Sequence, residues 1–300
     1  MLLHIYAQQY NNISMKFNTY LAIWLLPILL VTASSSLFGE LYEGFDLSGK
    51  PNSSFGSKNM LGGQTSKGWM SSWQVGSGDV VFSKEDINFE NLPSTGGSAK
   101  IIGERKENHI GKGYMIRQLS EGFVGTVFGS FRIKPGFLTK DSVFGLLFSL
   151  PNVEEMSPKN ALFSIAPKRW GSSFGMIGAS GRSYKITDGE PCKKGQSYLV
   201  IWKMINVPKA GDSSTVTLSF WVLNESQANY YADLEFDEKA LNLAEPGPEK
   251  NQVSQYGRQD VKDTKRGIFK GVVLVPFNYN VTNVLFDEMF ISKDRFVNTN

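Results

Sequence analysis

Cysteine and histidine are nearly missing from this chain. Cys192 is the single cysteine, so no intrachain disulfide can staple the fold. The two histidines, His4 and His109, cannot supply the His pairs or Cys/His clusters of a zinc site. Long apolar runs are missing too: the best is the twelve residues Tyr20–Val31, where a bilayer span needs about 20. Charge of one sign is also lacking, because 31 basic residues against 28 acidic ones leave a formal +3. With no basic stripe, nothing offers a nucleic acid an electrostatic footprint. What is there excludes disorder and collagen: 41% of residues are hydrophobic, only 20% are charged, and the 30 glycines are scattered without a three-residue period.

The N-terminal segment carries a compartment signal. Lys16, the apolar run YLAIWLLPILLV and the small residues Thr32 to Ser36 follow in the order of a secretory signal peptide. This order predicts cleavage near Ser36 or Gly39 and a secreted, extracellular or periplasmic product. Residues 1–14 precede Met15, which makes a better start for such a signal. The C-terminal DRFVNTN is polar, so no membrane anchor is expected after cleavage. Residues 1–39 are read as N-terminal extension and signal peptide, and 40–300 as one domain.

Beyond residue 40, short apolar segments alternate with Gly, Pro, Asn and Ser, the pattern of antiparallel strands and turns. Strands are predicted at 41–45, 99–104, 113–119, 124–134, 143–150, 161–166, 173–178, 197–204, 215–223, 268–275 and 283–291. In TVTLSFWVL, Val216, Leu218, Phe220 and Val222 share one face. SYLVIWKM is apolar on both faces, as in the middle of a packed sandwich. Helical composition is confined to 232–243, which predicts one short helix. The polar stretch 244–266 reads as a long loop, and the sequons at Asn52, Asn224 and Asn280 are weak signals of glycosylation.

The ends of the domain carry a family resemblance. Tyr42 to Asp46 (YEGFD), followed by GGQTSKGWMSSW, and Phe286 to Glu288 (FDE) resemble the opening and closing segments of bacterial exported proteins with a concanavalin A-like, laminin-G-like jelly roll. The resemblance spans roughly 40–297; Met289 stands where that family usually has a basic residue. It implies an all-β, antiparallel two-sheet jelly-roll sandwich whose first and last strands pair.

The same fold houses glucanases that use two acidic residues, so carboxylate pairs deserve inspection. Glu235 and Asp237 have the i, i+2 spacing that a strand would place on one face, but Lys239 and Ala240 stand where a laminarinase-type motif needs its second Glu. Asp287 and Glu288 are adjacent, which on a regular strand turns them to opposite faces and fits structural hydrogen bonding. His109 lacks a Gly-x-Ser-x-Gly elbow, and no complete catalytic motif emerges.

Sugar binding asks only for aromatic faces with polar neighbours. Trp170 beside Arg169, in a Gly-Ser-Ser turn, is the foremost candidate, with Tyr230 and Tyr231 next. Trp69 and Trp73 read as core more than as ligand contacts, and Trp202 and Trp221 as packing. No cofactor is expected. Calcium stays open, since Asp- and Asn-bearing loops suit it but no Asp-x-Asp-x-Asp-Gly loop occurs. The expected function is an exported, non-catalytic glycan-binding or surface-interaction module with a polysaccharide or glycan partner. A divergent polysaccharide-cleaving enzyme of glucanase or lyase type stays open on the same fold.

Overall fold

A computed structural model of the chain describes residues 41–45, 54–55, 73–102, 105–106, 109–110, 113–118, 125–136, 143–149, 163–167, 174–178, 184–186, 190–208, 214–261, 273–279 and 283–298. All lie within one compact unit, Glu40–Asn300. They form an antiparallel two-sheet sandwich of the jelly-roll type.

The first sheet has nine strands: β1 (Leu41–Glu43), β2 (Ser54–Phe55), β4 (Asp79–Ser83), β5 (Ser98–Ile102), β9 (Gly125–Lys134), β14 (Tyr198–Pro208), β15 (Ser214–Asn224), β16 (Gln255–Val261) and β18 (Val284–Ser292). Their order is β16-β15-β14-β9-β18-β5-β4-β2, with β1 also on β18. The second sheet runs β13-β12-β11-β10-β17-β8-β3, from β3 (Gln74–Ser77), β8 (Gly113–Gln118), β10 (Val143–Ser149), β11 (Phe163–Pro167), β12 (Phe174–Gly178), β13 (Tyr184–Ile186) and β17 (Val273–Tyr279). A small ribbon pairs β6 (Arg105–Lys106) with β7 (His109–Ile110).

The terminal strands are neighbours, as expected: Leu41 lies across from Ile291, Tyr42 from Phe290 and Glu43 from Met289. The longest pairing, β14 with β15, shows why the sequence folds here. Period-two alternation sends Val200, Trp202, Met204, Val216, Leu218, Phe220 and Val222 into the space between the sheets, where all are buried. At one end the opposite face is apolar as well. Leu199, Ile201, Trp221 and Leu223 form a second core with Ile87, Phe89, Leu92 and Phe296, roofed by two helices.

Those helices are α1 (Glu225–Asp233) and α2 (Glu238–Leu243). α1 opens on a capping box: Asn224 accepts from the Gln227 backbone N–H at 3.1 Å, and the Gln227 side chain accepts from the Asn224 N–H at 3.0 Å. The single helix expected over 232–243 is corrected to two, because Glu235 and Phe236 take left-handed backbone angles, φ 51° and 53°, that drive Phe236 into the second core. The expected loop at 244–266 is corrected too: β16 lies inside it as an edge strand on β15. Its polar sequence suits an edge, with Arg258 half-exposed on the rim beside Asp260. Among the described residues no helix is long and apolar enough to cross a membrane.

Candidate functional site

Two places concentrate side chains of functional character: a buried seam where the terminal strands close the sandwich, and the outer face of the seven-stranded sheet.

The seam begins with an irregularity. Between Asp287 and Phe290 the register of β18 against β9 shifts, and Glu288 adopts φ 46°. This bulge corrects the expectation that adjacent Asp287 and Glu288 diverge, since an extra residue lets both approach one point. Carboxylate oxygens of Asp86, Asp287 and Glu288 lie within 4.8 Å of one another. Asp287 accepts from the Ile87 N–H at 3.2 Å and the Glu288 N–H at 2.9 Å. Glu288 accepts from the Thr95 N–H at 2.7 Å, from the Thr95 hydroxyl at 3.2 Å and from the Tyr42 hydroxyl. Asp86 accepts from the Ser94 hydroxyl at 2.6 Å.

Arg132 lies across from Asp287 in the ladder and donates to the carbonyls of Ile87, at 2.9 Å, and Pro93. One guanidinium therefore faces three carboxyl groups. Burial above all, then the hydrogen bond with Asp86 and the nearby Glu288 charge, push the Asp287 carboxyl up to about 9. Burial likewise lowers the Arg132 guanidinium and raises the Tyr42 hydroxyl, the latter reinforced by its bond to Glu288. Asp287 thus keeps a proton at neutral pH. Three clustered carboxyls match a cation's appetite for oxygen. Here, however, each already accepts from protein donors, and a hard cation would have to expel that proton. The arrangement ties β1, the 84–97 loop, β9 and β18 together.

A second buried bridge spans the sheets. Glu43 of β1 accepts from Arg117 of β8, from the Trp73 indole N–H at 2.9 Å and from the Phe45 N–H at 3.1 Å. Trp73, 3% exposed, is core, as the sequence suggested.

The outer face of the seven-stranded sheet is different. Met115 and Arg117 of β8 point inward and are buried, so alternation places the half-buried Tyr114 outward. Tyr114 stands across from Phe277 of β17 and Ser77 of β3. The described elements that pack most heavily on this sheet, β16, β4 and β5, all belong to the other sheet and cover its inner side.

The remaining sequence candidates separate. Arg169 and Trp170, and likewise Trp69, lie outside the described residues. Tyr231 is corrected from surface to core: it is 2% exposed, within the second core, and donates its hydroxyl to the Asn251 carbonyl at 3.0 Å. Tyr230 is half-buried, meeting Tyr231 edge-on at 5.2 Å, so α1 does not present the two rings side by side. Glu235 and Asp237 occupy a turn, not a strand, and Asp237 caps α2 by accepting from the Ala240 N–H at 2.8 Å. Burial pushes the Cys192 thiol up, the wrong direction for a nucleophile. Tyr114 and the Asp86 partnership escaped the sequence: Asp86 lies 201 positions before Asp287, and only the fold joins them.

No family model and no curated protein matches this chain. Solved structures resemble it at low identity and low TM-score. Alginate lyase Aly36B, as a mutant with alginate trisaccharide, is 9% identical, covering 87% of this chain and 100% of its own at a TM-score of 0.39. The carbohydrate-binding module CBM66 from Bacillus subtilis is 10% identical over 69% and 94%, with a TM-score of 0.32. A Bacillus subtilis protein of unknown function with a galectin-like fold is 7% identical over 75% and 90%, with a TM-score of 0.37. At these identities and scores no role is carried over from them.

Proposed function

We propose that the chain is an exported, non-catalytic glycan-binding module that holds saccharide on the outer face of its seven-stranded sheet. The observation that carries this reading is the half-buried Tyr114, turned to the outer face of its sheet and directly across from Phe277. Aromatic rings stack on the apolar C–H faces of pyranose rings, and a pleated sheet holds such rings rigidly. Trp170, with Arg169 beside it in the sequence, is a further proposed contact. Lys16, the apolar run and the small residues at 32–36 support export.

Binding is favoured over cleavage by the use to which the acids are put. Asp287 is fully buried, Glu288 is 4% exposed, and both are saturated with donors that close the sandwich. A glycan microarray on the mature protein tests the proposal. Tyr114→Ala and Trp170→Ala should each weaken the best hit by about five- to tenfold, with far-UV circular dichroism unchanged and no sugar product released. Equal binding by both variants, or product release that Asp287→Asn abolishes, would refute it.

A further inference from the structure

Resting on that reading, we infer that the glycan is uncharged: a neutral polysaccharide, not a polyuronate or sulfated chain. Charge is distributed unevenly between the two sheets. Strands β3, β10, β11, β12 and β17 contain no Asp, Glu, Lys, Arg or His. β8 contains only Arg117, which is 2% exposed and committed inward to Glu43. The one remaining cation is Lys185, on the edge strand β13. In a sandwich one face of each sheet looks outward, and that face ordinarily carries charge in a chain with this many ionisable residues.

The nine-stranded sheet behaves in the ordinary way. Lys134 pairs with Glu85 and Lys203 with Glu238, each at 2.7 Å, while Arg258 and Asp260 line its edge. The exception is therefore confined to the strands of the seven-stranded sheet. A glycan carrying a carboxylate or sulfate on most residues must give up water around those charges when it docks, and it needs Arg or Lys to compensate. Apart from Lys185 on the edge strand and the sequence candidate Arg169, which lies outside the described residues, the strand platform offers none. The uncharged polar residues in the sequence of these strands, Ser77, Gln118 and Ser164 among them, are of hydroxyl and amide type, the chemistry that suits sugar hydroxyls.

Affinity electrophoresis of the mature protein through gels containing neutral mixed-linkage glucan, neutral galactomannan, polygalacturonate or alginate, at low and high salt, decides the matter. The expected result is retardation by a neutral polymer, insensitive to salt, reduced about tenfold in Tyr114→Ala and retained in Tyr114→Phe. Salt-sensitive retardation by a polyuronate alone would overturn the inference and leave the glycan-binding reading standing. Neutral retardation that Tyr114→Ala leaves untouched would overturn the assignment to this face. Retardation by none of the four would overturn the glycan-binding reading and this inference with it.

Discussion

Asp287 is wholly buried, opposes Arg132 in the ladder and shares its surroundings with two further carboxyl groups. Its proton has a measurable consequence for stability. The folded protein holds that proton up to about pH 9, whereas an unfolded chain releases it near the ordinary value of 3.8. Between those limits the native state binds more protons than the unfolded one, so stability is greatest on the acid side and declines as pH rises, by up to ~1.4 kcal/mol per pH unit. Urea titrations from about pH 5 to 9 should show the midpoint falling across the range. Asp287→Asn, which keeps the shape without the charge, should flatten the profile and gain most at the alkaline end. A profile as steep in the variant as in the parent would contradict the assignment. Asp86 is the half-exposed member of the cluster and also lines an open depression of about 670 Å³ with Glu90, Ser94 and Glu225.

At the scale of the element, α1 shows what a single cap does. At nine residues ESQANYYAD is too short to be stable as an isolated helix, so it depends on the Asn224–Gln227 capping box and on burial of Ala228 and Tyr231. Asn224→Ala should cost about 1 kcal/mol, read as a lower denaturation midpoint. Its side chain is buried, with the amide oxygen held by the Ser226 hydroxyl and the Gln227 N–H, which makes the Asn224 sequon a poor acceptor for a glycan. Strands such as β9, β14, β15 and β18 were legible because period-two alternation and turn residues are local properties. The pairing of β1 with β18 was legible only through the resemblance of their short motifs. α1 was hidden because its N-x-x-Q box lies in a polar segment that alternation does not flag. β16 was hidden because an edge strand buries little and need not look apolar. The seam was hidden for another reason: a bulge at Glu288 breaks the strict alternation that turns Asp287 and Glu288 apart.

At the scale of the whole molecule, the sandwich is one-sided. The outer face of the nine-stranded sheet is roofed at one end by α1 and α2 and dressed with ion pairs, and its buried acids close the terminal strands. The seven-stranded sheet is nearly free of charge and carries Tyr114 outward. Architecture was readable from composition and patterning. The proposed binding face was not, since strand order decides which residues share a surface, and that order links β8, β10 and β17 across more than 150 positions. Amide hydrogen exchange of the full mature protein, with and without a neutral glucan oligosaccharide, tests the central claim most directly. The account predicts slowed exchange in β8, β10 and β17, with α1, α2 and the 84–97 loop unchanged. Protection confined to the helices and that loop, with the seven-stranded sheet unaffected, would contradict it.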